Sequence, residues 1–254
     1  MATISKKLSL LTFLSIFLVS CPSASEVSAS KKIDPPNYSF VKIFTELNIE
    51  QCKAEKNESG VECPIGSYFS TGSGMVADII NGETIVLTAG HVCSSKIDDF
   101  VTKYSFTISV MDHSARIHQS HVIKSSYDNS KGSPDICALY VPTLTNVKKI
   151  QIAGKPPTIG DELYYIGAPL GVYHNPIAPI FKGIYSGIID PSSAIATMPA
   201  APGSSGSSVL NINNRIVGIL YAVHPSFHHI TVITNYYSTI AFINDVKKDF
   251  IKQN

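Results

Sequence analysis

Between Gly74 and Thr234 the chain is made of short apolar runs rich in Val, Ile and Tyr, each stopped within a few residues by Gly, Pro, Asn or Ser. The runs "GMVADII", "TIVLTA", "SFTISVM", "HVIKS", "ICALYV", "ELYYIGA", "GIYSGII", "SSVLNI", "RIVGILYAV" and "ITVIT" are too short for stable helices. Their β-branched composition suits extended pairing instead. Asn81-Gly82 and Asn213-Asn214 stand where neighbouring runs must reverse, a strong hairpin cue. The pattern predicts an all-β sandwich or barrel. Only the tail differs: in "YSTIAFINDVKKDFIKQ", Ile240, Ile243, Val246, Phe250 and Ile251 fall near helical spacing. A net charge of +1 gives no electrostatic footprint for nucleic acid.

The N-terminus reads as an export signal. Lys6 and Lys7 precede an apolar run from Leu8 to Val19 that is short for a bilayer span. Residues 1–20 are therefore assigned to a signal peptide. The run ends in "LVSC", which resembles a bacterial lipobox and makes Cys21 a candidate for lipidation and membrane attachment, with cleavage after Ala24 as the alternative. Either cut leaves Cys52, Cys63, Cys93 and Cys137, and four cysteines in an exported chain permit three pairings. Cys52 and Cys63 flank the polar stretch "KAEKNESGVE", which reads as a short closed loop; if they pair, Cys93 and Cys137 are left for each other. Pro22 to about Tyr38 reads as a linker, so residues 21–65 are expected to be linker and cysteine loop.

Chemistry concentrates in three segments. "PGSSGSSV" holds four serines around Gly203 and Gly206, an arrangement that can present a hydroxyl on a tight turn. A serine needs a base to become a nucleophile. His113, His118 and His121 lie in a polar stretch, His224, His228 and His229 in "HPSFHH", and His174 in a loop, where exposure explains them. No carboxylate or cysteine lies close enough in sequence to "HPSFHH" to suggest a metal site. His91 is different, because "TIVLTAGH" breaks an apolar strand into small residues just before the imidazole. A base of this kind works best with a carboxylate on its other ring nitrogen. Asp98, Asp99, Asp112 and Asp128 look solvated, whereas Asp135 opens the apolar run "DICALYV".

"TAGHVC", "DICALYV" and "PGSSGSSVL", in that order, resemble the His, Asp and Ser blocks of trypsin/chymotrypsin-like serine proteases, and the chain is similar to the compact bacterial members. Forty-four positions separate His91 from Asp135, and seventy separate Asp135 from Ser205. "TGSGMVAD", "IGAPLG", "GIYSGI" and "RIVGILYAV" match supporting strands of the family. The resemblance runs from about Tyr68 to the end and leaves residues 22–65 outside it. It implies two antiparallel six-stranded β-barrels, at residues 66–150 and 151–254, the second carrying the C-terminal helix.

The same resemblance implies roles for particular residues. Ser205 is the nucleophile, His91 the base and Asp135 the group that orients it. The N–H groups of Gly203 and Ser205 form an oxyanion hole, and no cofactor or metal is required. Ser204, Ser207 and Ser208 are left as hydrogen-bonding loop residues or exposed filler. Ser204 also departs from the Asp or Asn that often precedes the reactive serine, so activation by pairing a new N-terminus with that acid is not expected. Pro199 and Ala200 fall at the pocket base, and Tyr221, Ala222 and Val223 on the facing strand. With no Asp or Glu from Pro191 to His229, this pocket implies cleavage of protein or peptide substrates after small aliphatic residues. A catalytically inactive, protease-like binding module is the alternative.

Overall fold

In the computed structural model, which describes residues 33–95, 97–127 and 132–253, the apolar runs form two antiparallel β assemblies followed by one helix. The first assembly contains β1 (Phe40–Cys52), β2 (Gly66–Ala77), β3 (Ile85–Thr88), β4 (Val101–Met111), β5 (Ile117–Gln119), β6 (His121–Ser125) and β7 (Cys137–Tyr140). The second contains β8 (Glu162–Ile166), β9 (Ile180–Ile188), β10 (Ser193–Thr197), β11 (Ser208–Asn211), β12 (Ile216–Val223) and β13 (Thr231–Thr234), before α1 (Tyr236–Gln253). Residues 1–20, expected to be a signal peptide, and Cys21 lie outside the described residues.

The second assembly is the expected closed barrel of six strands, in the order β10-β13-β12-β11-β8-β9. The first is not. It is a seven-stranded sheet in the order β5-β4-β1-β2-β3-β7-β6, with no pairing between its edge strands. Those edges are nonetheless consecutive in the chain, with only Ser120 between them. The sheet must therefore curl until its two ends meet at a bend, where Ser120 bonds back to Ile108 O through both its N–H (3.2 Å) and its hydroxyl (2.8 Å). The outcome is half a barrel, closed by chain continuity instead of by a hydrogen-bond ladder.

The first assembly begins before residue 66, within the stretch expected to be linker and cysteine loop. β1 is a thirteen-residue strand paired with β2 from Phe40↔Met75 to Ile49↔Gly66 and with β4 on its other side. Val41, Ile43, Thr45 and Ile49 are buried at the spacing of two that sends alternate side chains to one face. The cysteine loop is a tip on this ribbon, joined by Cys52–Cys63 with Cα atoms 5.9 Å apart. A second disulfide joins Cys93 to Cys137.

α1 seals both assemblies. Phe242, Ile243, Val246 and Phe250 are buried in a cluster with Phe40 and Leu87 of the first sheet and Ile166 and Ile219 of the barrel, each worth roughly 1.5–3 kcal/mol on burial. Ile251, expected on this face, is instead exposed, and Phe242 takes the buried place. Lys124 of β6 donates to Asp249 of the helix at 2.7 Å. The connector between the assemblies is zipped to both: Ile150 bridges Ala77 and Ile152 bridges Ile216.

Asp112 and His118 also differ from the sequence reading, since neither is solvated. Both are buried at the β4–β5 turn. Asp112 accepts from the backbone N–H groups of Ser114 and Arg116, from the Arg116 guanidinium and, at 3.1 Å, from the His118 ring, whose other nitrogen meets Thr143 Oγ1. Burial raises the Asp112 pKa, but the bonds from Arg116, His118 and Ser114 outweigh it and hold the carboxyl at about 2.

Candidate active site

The apolar strand β3 ends at Thr88, and the chain turns through Ala89 into a short 3-10 segment, Gly90–Cys93, that carries His91. Gly90 lets the Asp135 segment approach, because a Cβ there would lie 2.6 Å from Tyr127 Cβ, 3.0 Å from Ile136 N and 3.1 Å from Asp135 Oδ1. Asp135 uses both oxygens on His91. Oδ1 accepts the His91 backbone N–H at 2.9 Å, and Oδ2 lies 2.8 Å from ring Nδ1. A carboxylate only accepts, so Nδ1 carries the proton and the Nε2 lone pair is left for a second partner. The Asp135 side chain is 12% exposed and that of His91 32%. The Cys93–Cys137 disulfide ties the segment after His91 to the strand after Asp135.

Ser205 stands on the other assembly, in a loop that packs on the segment leading to His91. Its loop is held on both sides: Ser205 O accepts from Ser73 N of β2 at 2.8 Å, and Gly206 N donates to Leu220 O of β12 at 2.7 Å. Gly203 and Gly206, at φ +93° and +89°, take the left-handed backbone that the turn requires. A Cβ on Gly206 would overlap Thr88 Oγ1 and Ser73 O, so this loop packs directly on the segment that leads to His91.

The four serines separate cleanly. Of the two expectations, hydrogen-bonding loop residues or exposed filler, exposure fails: Ser204, Ser207 and Ser208 are fully buried, and only Ser205 is partly exposed. Ser204 Oγ lies 3.3 Å from Tyr165 OH, while the Ser207 and Ser208 hydroxyls have no protein partner among the described residues. No hydrogen bond joins the Ser205 hydroxyl to the His91 ring. The backbone N–H groups alternate as well. Those of Ser204 and Gly206 donate to Ala201 O and Leu220 O, whereas those of Gly203 and Ser205 have no protein acceptor among the described residues.

Pro199 O accepts from Tyr165 OH at 2.7 Å, and burial pushes that phenol up to about 12. Ala200 is buried and its N–H donates to His228 O, which fastens the β12–β13 loop to this wall. Tyr221 turns its hydroxyl to Ser193 Oγ at 2.7 Å, and Ala222 and Val223 beside it are partly exposed. His224, His228 and His229 are exposed on the loop that follows.

Sequence reasoning missed the other flank of His91. A cavity of about 220 Å³ is bounded by His91, Val92 and Ser94, by Thr45 and Leu47 of β1, and by Tyr68 and Phe69 of β2. Phe69 is 73% exposed, a large ring left in solvent beside the imidazole. The signal available in the sequence was β1 itself, whose inclusion in the sheet builds this wall.

A half-barrel and a closed barrel, with a His–Asp pair on the first and a glycine-flanked, solvent-reaching serine on the second, define a chymotrypsin-like architecture. The model of the trypsin-like peptidase domain matches residues 72–219. The chain belongs to that family and is a serine endopeptidase by class. Among solved structures, the Rv3671c protease of M. tuberculosis in its active form is similar at 16% identity and a TM-score of 0.56, covering 81% of this chain and 79% of that one. The serine endoprotease of Yersinia pestis is similar at 19% identity and a TM-score of 0.59, covering 84% and 64%. The HtrA-type protease AlgW, solved with a decapeptide, is similar at 17% identity and a TM-score of 0.59, covering 84% and 65%. This chain thus spans about two thirds of the length of the latter two. At these identities the likeness is one of fold. A search of curated proteins returns no match.

Proposed function

We propose that the protein cleaves peptide bonds through an acyl-enzyme, with Ser205 as nucleophile, His91 as its base and Asp135 holding the imidazole. One observation carries this reading: of four serines clustered on the loop packed against the His91 segment, only Ser205 is partly exposed. In the reaction, His91 Nε2 takes the Ser205 proton as Oγ attacks the carbonyl, then returns it to the leaving amine. The unengaged N–H groups of Gly203 and Ser205 receive the developing oxyanion, where one such donor is worth roughly 3–4 kcal/mol in the transition state.

The substrate's acyl half runs along β12, with its side chain toward Ala200 and Val223. These walls are apolar, without a carboxylate to offset desolvation of a lysine or arginine, so a small aliphatic residue before the cut fits best. The leaving half runs along β2, because the Ser205 loop lies between these two strands. It meets the cavity that Tyr68 and Phe69 help to form. Export through the N-terminal signal, with Cys21 as a lipid anchor, suits the two disulfides, which persist in oxidising compartments.

A fluorophosphonate probe tests the core of the reading, since only a base-activated serine reacts quickly. Wild type should be labelled, Ser205→Ala should not, and Ser208→Ala should keep most of the signal. Full labelling of Ser205→Ala would remove the assignment, and an unreactive wild type would favour the binding module. Peptide-library profiling tests the pocket, and a dominant Lys, Arg or Phe before the cut would refute it.

A further inference from the structure

Gly203 packs against a neighbouring part of the barrel. A Cβ on it would lie 2.5 Å from Ala168 O and 3.2 Å from Leu170 N, so its backbone rests on the turn between β8 and β9. That turn, Pro169–Gly171, is closed by Gly171 N–H to Ala168 O at 3.0 Å and Val172 N–H to Pro169 O at 2.9 Å. Within it Leu170 stands at φ 53°, ψ 24°, a left-handed backbone that a leucine adopts only when its surroundings impose it. Its side chain is exposed and does not explain the conformation. Its N–H does: it donates to Pro202 O at 2.6 Å.

This bond orients the oxyanion hole. In a trans peptide the C=O and the following N–H point in opposite directions. Holding Pro202 C=O on Leu170 therefore turns the Gly203 N–H outward, to where the oxyanion would form. The turn is in turn held from the first sheet. Lys42 Nζ on β1 donates to Gly171 O at 3.0 Å. Ser73 Oγ on β2 accepts from Ala168 N–H at 3.0 Å and donates to Gly203 O at 2.8 Å. Lys42 and Ser73 are direct cross-strand partners, so their side chains leave the sheet on one face and meet the turn together.

We infer that Lys42 is a positioning residue: by fixing the Leu170–Gly171 backbone, it keeps the Gly203 N–H aimed at the oxyanion. This rests on the acyl-enzyme reading above. Lys42 touches neither substrate nor the reacting atoms, and it acts across the boundary between the two assemblies. Ser73 performs the same service from a buried position, whereas Lys42 is only partly buried and can be replaced without opening the core.

The test is Lys42→Met in the full chain, compared with wild type and Lys42→Arg. Outright loss of one oxyanion donor costs about 10²–10³ in kcat, and loosening its support should cost roughly tenfold. The expected result is a roughly tenfold lower kcat with KM little changed, and a peptide boronate binding more weakly by a similar factor, since the boronate engages the oxyanion donors and the ground-state peptide does not. The Tm should stay within a few degrees, and Lys42→Arg, which keeps a donor, should recover most of the loss. Unchanged kcat and boronate affinity in Lys42→Met would overturn the inference, as would a Lys42→Arg variant as impaired as Lys42→Met. Absence of fluorophosphonate labelling in wild type would overturn the hydrolase reading and this inference with it, so the two failures are distinguishable.

Discussion

Replacing Asp135 with Asn keeps the shape of the side chain and removes half of what it does. Both carboxylate oxygens accept from the same residue, one from the His91 backbone at 2.9 Å and one facing Nδ1 at 2.8 Å. A carboxamide has one acceptor and one donor, so it satisfies one of these contacts and opposes the other. If its oxygen stays on the backbone N–H, its NH₂ faces Nδ1. The ring then shifts its proton to Nε2, and the nitrogen that should take the Ser205 proton already carries one. In the opposite flip, the ring is correct but the backbone N–H faces a donor, at a cost of about 1–3 kcal/mol. The productive arrangement becomes a minority state that also lacks the negative charge that stabilises the imidazolium. For a triad of this kind the loss is about 10⁴ in kcat, or about 5.4 kcal/mol. The assay is kcat on a peptide amide, with thermal melting as the control for folding. Activity within tenfold of wild type in a well-folded Asp135→Asn would refute the reasoning and direct attention to another acceptor for Nδ1.

Asp112 yields a prediction about stability against pH. Its folded carboxyl titrates at about 2 and the ordinary value is 3.8, so the unfolded chain binds the proton first as pH falls. The stabilisation is complete above the ordinary value and is lost as pH drops toward 2, amounting to about 2 kcal/mol. Urea melts of wild type and Asp112→Asn should therefore converge by about that amount between pH 5 and pH 2; a constant gap would contradict the assignment. Cys93–Cys137 closes a loop of 44 residues, so the double serine variant should lose about 2–4 kcal/mol and lose activity with it. Unchanged stability would mean that the thiols are not paired in the isolated protein. Phe69→Ser should weaken selection among residues after the cut while leaving the preference before it intact, read by a library randomised on both sides. An unchanged profile would exclude the β2 cavity as a leaving-group site.

Much of the barrel was legible because its strands are short and apolar and end at turn residues. β8, β11, β12 and β13 fall where "ELYYIGA", "SSVLNI", "RIVGILYAV" and "ITVIT" stand, and Asn214 turns at φ +59° in the hairpin expected at that point. β1 was missed for a physical reason. Its period of two is present in Val41, Ile43, Thr45 and Ile49, but Lys42, Glu46, Asn48 and Glu50 stand between them, so the segment reads as polar after a Pro-rich stretch. Thr45, buried against Ser70 at 2.6 Å, satisfies a hydroxyl inside the sheet that composition counts as solvated. His118 and Asp112 misled in the same way, because they bond to each other across six residues and the pair can be buried. His91 and Asp135 stood out because small residues and a strand start flank them. The cavity on β2 and the support of Gly203 by Lys42 depend on β1, and without that strand no local pattern indicates them.

The connector zipped at Ala77 and at Ile216 has a consequence for how the cleft works. Many two-part enzymes capture substrates by hinging, and a hinge needs a few backbone positions free to rotate. Here Ile150 N–H donates to Val76 O and Ala153 N–H donates to Ile216 O, at 2.9 and 2.8 Å, so the chain between the halves is itself part of both ladders. Rotation would break hydrogen bonds at each end, while the helix spans the same seam with an apolar face. Hinging is thereby disfavoured, and a peptide that arrives already extended should be cleaved fastest. Native folded proteins, whose chains seldom offer such a stretch, should be cleaved slowly until heat, reduction or partial unfolding releases one.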